Sequence, residues 1–407
     1  MRLDSTRHAW MRAPETLAVL SALGEARFVG GAVRNALLGM AVSDIDIAVP
    51  FEPKEVVRKL EAAHIKVVPT GIEHGTVTAI QDGQVFEVTS LRRDVATDGR
   101  RAVVAYTKDW REDSARRDFT INALYATPDG EIFDYHGGLA DLKAGRVRFV
   151  GDPAQRVAED YLRILRLFRF HAWYGQGEMD DEALRAAAAA KAKLSTLSGE
   201  RIAKELLRLL EADNPMPVLR VMAASGILSE LLPGALALER LGHLVTIQAQ
   251  EGFPVDPLLR LMALLADNAK AASIVAERLR LSNADRARLQ NGVGDGDALA
   301  GISAPAARAL LYRLGPASFR DRVMLQWAGP APDATPLSCR LLLAMADNWQ
   351  RPKFPLTGAD VKEAGVPQGP AVGEALDELE RWWIEGDFSA DEAALRARLA
   401  ELAAGKA

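Results

Sequence analysis

Between residues 44 and 49 the apolar positions alternate: Ile45, Ile47 and Val49 fall between Asp44, Asp46 and Ala48. That period of two predicts a half-buried strand with both aspartates on one face. Upstream, Phe28 and Val29 end an apolar run, Gly30-Gly31 follows, and Val33, Ala36, Leu37 and Leu38 take up a helical spacing that Gly39 can stop. The stretch from Arg27 to Pro50 therefore reads as strand, glycine turn, short helix, loop and second strand. Residues 14–23 predict a helix before it, and the amphipathic residues 54–63 predict one after it. Next, residues 76–80 and 85–89 flank Asp82-Gly83, a two-residue turn that tolerates positive φ and so joins a hairpin. Val85, Glu87 and Thr89 share one face of its second arm, Phe86 and Val88 the other.

From 92 to 110 the periodicity fails around Asp98-Gly99-Arg100-Arg101, which reads as a mobile basic loop or, more simply, a surface hairpin. Asp113 or Ser114 can cap a helix, Pro128-Asp129-Gly130 is a turn, and Gly137-Gly138 suits a bend between domains. The remainder reads as helical. Residues 181–193 are alanine-rich, Ser198 can cap a helix over 200–210, and amphipathic segments recur at 216–231, 256–267, 270–280 and 303–314. Ser282 and Thr357 mark further starts, Gly369 and Gly373 flank another, and Trp382-Trp383 reads as a packing anchor. No repeat of fixed period appears.

Composition bounds what such a chain can be. At 407 residues it should hold about two to four domains, and 49% hydrophobic residues suffice for substantial cores. A net charge of -5 argues against a broad nonspecific nucleic-acid coat while permitting a local basic cleft. The single cysteine, Cys339, excludes a disulfide framework and cysteine-based zinc sites. The start lacks a signal-peptide core and no run approaches the ~18 apolar residues of a membrane span, so a soluble, cytoplasmic protein with no membrane contact is expected.

Two aspartates on one strand face repel each other unless a cation neutralises them. Hard divalent ions suit carboxylates, and Mg²⁺ takes one or two of them plus substrate phosphates. Gly30-Gly31 at a helix start lets backbone N–H groups approach an anion, with Arg34 in the first turn. A phosphate turn beside a metal pair points to nucleotidyl transfer. Glu87 becomes a third carboxylate if its hairpin extends the same sheet. Arg116 and Arg117 offer guanidinium forks for phosphate or ribose oxygens with Asp118 orienting them, and Asn122 is a polar exception in an apolar run.

GGAVRNALLG with SDIDIAV, then ARRDFTINALY, DYHGGLADL, EDYLRILRLFRF and LSGERIAKELLRLL resemble, in order, the successive motifs of the class II tRNA nucleotidyltransferase and bacterial poly(A) polymerase family. They cover about the first half of the chain. Asn35 departs from the pattern, standing where many relatives carry Asp, and so does His136. The resemblance implies an α+β fold: a polymerase-β-like palm of mixed sheet and helices over 1–140, then an all-α neck (141–212), body (213–330) and tail (331–407). It implies two Mg²⁺ ions on Asp44 and Asp46, a triphosphate gripped by the glycine turn and Arg34, and phosphate and ribose contacts from Arg116, Arg117 and Asp118. It also implies base reading by Glu159, Asp160 and Arg163.

That last role makes chemical sense. Cytosine and adenine each present an amino donor beside a ring-nitrogen acceptor, which a carboxylate and a guanidinium can match while rejecting U and G. On one continuous helix Asp160, Arg163 and Arg166 would form a spiral row spanning about 120°, with Arg169 near the far side from Asp160. Arg166 and Arg169 would then lie nearer phosphates or RNA. Otherwise Asp160 and Arg163 make a surface ion pair. The implied activity is addition of C, C and A to the tRNA 3′ end and acceptor arm from CTP and ATP, with no protein partner evident. A poly(A) polymerase, or a CC-only or A-only tRNA enzyme, shares the same chemistry. The acidic, alanine-rich C-terminus and the uninterrupted 92–110 segment favour full CCA addition, and only His243 lies beyond residue 200, which argues against an appended metal phosphohydrolase.

Overall fold

The computed structural model describes residues 2–68, 71–98, 101–234, 236–265, 268–293, 299, 301–329 and 335–405. The chain separates into two compact units, Met1–Leu232 and Pro233–Ala407. The first carries the sheet, and the α+β reading holds, with a mixed sheet at the N-terminus followed by helices.

Seven strands make that sheet: β1 (Arg27–Val29), β2 (Ile45–Val49), β3 (Lys66–Val68), β4 (Thr76–Gln81), β5 (Gln84–Ser90), β8 (Leu124–Ala126) and β9 (Ile132–Asp134), in the order β3-β4-β5-β2-β1-β8-β9. β6 (Arg92–Asp98) and β7 (Arg101–Tyr106) form a separate antiparallel ribbon. The 92–110 segment is thus a hairpin, with ladder bonds in place of the mobile loop, and Gly99-Arg100 at its tip lie outside the described residues.

β2 runs parallel to β5, with Asp46 opposite Glu87 and Ile47 opposite Val88. The alternation read from the sequence sets this register: Ile45, Ile47, Phe86 and Val88 all turn into the core. Burying four such side chains contributes roughly 1.5–3 kcal/mol each, and a one-residue slip would turn every one of them to solvent. Asp82 and Gly83 both have positive φ, at 48° and 85°, in the two-residue turn between β4 and β5.

After the sheet, helix Leu162–Tyr174 packs against both Pro153–Glu159 and Gly199–Leu210 within the same unit. Asp160 lies between the first two in extended backbone (φ -153°, ψ 108°), so the single continuous helix expected through Asp160, Arg163 and Arg166 is broken.

The second unit is helical in its described residues. Tyr312, Leu356, Val361, Leu379, Trp383 and Leu395 share one of its cores. Thr357 and Asp360 form the reciprocal cap expected at that helix start. Trp383 is the packing anchor expected of the pair, whereas Trp382 is exposed because it points away from that core. No described helix is long and apolar enough to cross a membrane.

Candidate active site

Gly30 is where the site begins. Its φ of 65° and ψ of -122° suit glycine, and it opens helix Gly31–Leu37. A Cβ there would stand 3.6 Å from Arg117 Nη1, 3.7 Å from the Asn122 carbonyl oxygen and 3.9 Å from Asp46 Oδ2. Three of the expected site residues thus stand within ordinary contact distance of the turn. Together with Gly31, Arg34, Asp44, Glu87, Asp118, Arg166 and Arg169 they line one cavity of about 720 Å³.

Strand β2 delivers the carboxylates. Asp44 is exposed just before the strand, Asp46 is half-buried within it, and Glu87 stands across from Asp46 on β5. Burial pushes the Asp46 carboxyl up to about 6, Glu87 and Asp44 reinforce the shift, and Arg117 and Arg34 oppose it. A carboxylate held in this way gains from a cation. No three His, Cys, Asp or Glu side chains among the described residues form a closed metal cage. An open pair sharing its ion with substrate oxygens is the arrangement that Mg²⁺, unlike Ca²⁺, takes in preference to an all-protein cage.

Arg34 is buried beneath the turn. Its Nη1 donates to Asn122 Oδ1 (2.5 Å), Nε and Nη2 donate to Asn35 Oδ1 (3.1 and 2.8 Å), and Nη2 also donates to the Tyr174 hydroxyl (2.8 Å). Its guanidinium carbon lies 4.0 Å from the Tyr174 ring centroid. Every one of these acceptors is neutral, and burial draws the guanidinium pKa down. One Nη1 N–H remains without a described partner.

The neighbouring arginines are arranged differently, and two expectations need correction. Asp109 caps helix Trp110–Ala115, where Asp113 or Ser114 was expected to do so. Asp113 is instead buried, accepting from Arg116 Nη2 (2.7 Å), Arg117 Nη2 (3.2 Å) and the Tyr125 hydroxyl (2.6 Å). Burial alone would raise its pKa, but Arg117 and Arg116 outweigh that and hold it at about 2. Asp113 therefore orients Arg116 and Arg117, the task expected of Asp118. Asp118 accepts from Arg166 Nε and Nη2 (2.8 and 2.5 Å), Asn122 Nδ2 (3.0 Å) and its neighbour's N–H. Burial would raise that carboxyl too, yet Arg166 and these hydrogen bonds keep it well below the usual range.

Asp160 and Arg163 do not pair with each other. Asp160 accepts from Arg201 Nη2 (2.7 Å) and from the Leu162 N–H (3.0 Å). Arg163 binds Glu159, which also holds Arg156, and Arg156 donates to the Arg117 carbonyl (2.7 Å). Neither Asp160 nor Arg163 lines the cavity, and nor does Arg116. Arg201, Lys204, Glu205 and Arg208 do. Glu205 accepts from Arg169 (2.5 Å) and stands 3.6 Å from Arg166. Sequence reasoning gave this helix a cap but no chemistry, although its charged residues at positions 201, 204, 205 and 208 follow one helical face. Tyr174 and Asn35, which hold Arg34, were likewise not expected to serve the site.

The chain resembles known proteins over most of its length. Residues 26–148 match the model of the poly A polymerase head domain, and 178–238 match a probable RNA and SrmB-binding site of polymerase A. The mitochondrial CCA tRNA nucleotidyltransferase 1 of Mus musculus is 35% identical over 89% of this chain and 84% of its own length. The chain belongs to the CCA tRNA nucleotidyltransferase family. A CCA-adding enzyme of Lacticaseibacillus paracasei is 33% identical over 95% of both chains. The crystal structure of the Bacillus stearothermophilus CCA-adding enzyme in complex with CTP superposes with a TM-score of 0.76 at 27% identity, covering 96% of this chain and 98% of that one. Membership carries with it the use of a divalent metal in general.

Proposed function

We propose that this protein adds C, C and A to the 3′ end of tRNA from CTP and ATP, releasing pyrophosphate, and that it does so in the cytoplasm. The observation that carries the reading is the juxtaposition of Asp46 and Glu87 with the Gly30 turn and the Arg34 guanidinium, whose hydrogen-bond acceptors are all neutral. In this reading 1–140 is the catalytic palm, 141–212 the neck, 213–330 the body and 331–407 the tail.

Asp44 and Asp46, with Glu87 beside them, would hold two Mg²⁺ ions. Bound there, the ions would activate the RNA 3′-hydroxyl and stabilise the pyrophosphate leaving group. Gly30, Gly31 and Arg34 bind the triphosphate, whose negative charge supplies what Arg34 lacks. Arg117 directs Nη1 at the turn and adds a second cation, while Asp113 fixes Arg116 and Arg117. Asp118 and Asn122 contact the ribose, and Arg166 and Arg169 border the nucleotide on the helical side. Base choice belongs to Asp160 and Arg163, which reach the cavity by exchanging Arg201 and Glu159 for the base edge.

The test is incubation with Mg²⁺ and a tRNA lacking its 3′ end, or an unrelated RNA, with CTP and ATP singly and together, followed by sequencing of the products. Addition of C, C and A to the tRNA alone, then a stop, is expected. Long A tails on both RNAs would assign a poly(A) polymerase, and CC-only or A-only products a partial enzyme.

A further inference from the structure

Residues 38–44 join helix Gly31–Leu37, which opens at the glycine turn, to strand β2, and they deliver Asp44. The helix ends in a Schellman turn: Gly39 has φ 69°, its N–H donates to the Ala36 carbonyl (3.1 Å), and the Met40 N–H donates to the Asn35 carbonyl (2.9 Å). Past Met40 the loop has little packing of its own, since Ala41, Ser43 and Asp44 are exposed. It is held from the side instead. Asn35 Nδ2 donates to the Ala41 carbonyl at 3.2 Å, and among the described residues no other side chain hydrogen-bonds to the backbone of residues 41–43.

The other end of the same amide faces the phosphate turn. Asn35 Oδ1 accepts from both Nε and Nη2 of Arg34, at 3.1 and 2.8 Å. One half-buried side chain therefore touches the guanidinium assigned to the triphosphate and the loop that carries the first carboxylate of the metal pair. Only an amide can do both, because it offers an acceptor with two lone pairs and a donor, whereas an ionised carboxylate of the same shape accepts alone. Being neutral, it orients Arg34 without offsetting the charge.

We propose that Asn35 is a positioning residue that couples the Arg34 guanidinium to the Asp44 loop, fixing the separation between the triphosphate grip and the first metal carboxylate. The proposal rests on the roles given above to Arg34 and Asp44. Asn35 itself touches neither the nucleotide nor the ion. Without the tether both groups remain present but their spacing is loosened, and a misplacement of about 1 Å in such a site can cost about 100-fold in rate.

Two variants separate the halves of the contact. Asn35→Leu removes both at similar volume, and Asn35→Asp keeps the acceptors for Arg34 but cannot donate to Ala41. Calorimetric titration of CTP with and without Mg²⁺ gives the factor by which the metal tightens the nucleotide, a coupling between the two sites. That factor should fall about fivefold in both variants, the loss of one net hydrogen bond, while tRNA affinity stays within about twofold of wild type. Hydrogen exchange of the Met40 amide in the ligand-free protein should quicken in both, reading the tether without any ligand. A wild-type coupling factor in Asn35→Asp would overturn the proposal, as would unchanged exchange at Met40 or an equal loss of tRNA affinity. No CTP binding by the wild-type protein would sink the triphosphate reading of the site instead, while the exchange measurement would still decide whether Asn35 holds the loop.

Discussion

On the sheet wall of the cavity Asp46 stands in register with Glu87 and is pushed up to about 6, and Arg34 is buried with only neutral acceptors. On the helical wall Arg166 grips Asp118 and Glu205 holds Arg169, while Asp113, outside the cavity lining, serves Arg116 and Arg117. Among the described residues Asp46 and Arg34 on the first wall make no ion pair, whereas Asp118 and Glu205 facing the second are held by arginines. Buried charge without a partner costs free energy, so a fold keeps it where a ligand supplies the missing charge. The paired side chains fix the geometry around it.

Asp46→Asn gives the largest effect, loss of detectable nucleotide addition. The same substitution should stabilise the ligand-free protein. Because the folded carboxyl titrates near 6, above the ordinary 3.8, the folded state binds more protons than the unfolded one between those values. Wild-type stability therefore falls as pH rises from about 4 to about 6 and stays lowered above that. The variant should melt at a higher temperature than wild type at pH 8, with the gap closing by pH 4. A variant that melts lower at pH 8 would show that Asp46 is not strained.

Arg166→Met should do the reverse. It leaves Asp118 buried without its strongest partner and should destabilise by about 3 kcal/mol, read from urea unfolding. A neutral result would remove Arg166 from the scaffold. Arg34→Met should be close to neutral in stability but raise KM for both CTP and ATP on the order of 30-fold, about 2 kcal/mol of charged hydrogen bonding. Tyr174→Phe keeps the ring under Arg34 and removes one acceptor. About 1 kcal/mol, or roughly fivefold in the nucleotide KM, is the expected loss, and an equal effect on KM for tRNA would break its assignment to Arg34.

The sheet wall was legible in the sequence because its chemistry follows short periods. Asp46 and Glu87 are placed by alternation within strands, Asp44 stands just ahead of the first of them, and Asp82-Gly83 fixes the hairpin that brings Glu87 alongside. The helical wall was less so. Which carboxylate orients Arg116 and Arg117 depends on how helix Trp110–Ala115 ends, and Asp113 and Asp118 flank the pair equally well in sequence. The break at Asp160 removed the continuous helix on which its spacing to Arg163 was reckoned. Lys204, Glu205 and Arg208 belong to a helix that shows in sequence only an amphipathic pattern, and its approach to Asp44 is a property of tertiary packing.

The most direct measurement is the thermal shift produced by CTP with Mg²⁺ at pH 8 in wild type and in Asp46→Asn/Arg34→Met. If the sheet wall holds uncompensated charge for a metal and a triphosphate, the double variant melts at or above the wild-type temperature without ligand and gains nothing when CTP and Mg²⁺ are added, while wild type gains. A double variant that melts lower without ligand, or gains the same shift, would contradict the account.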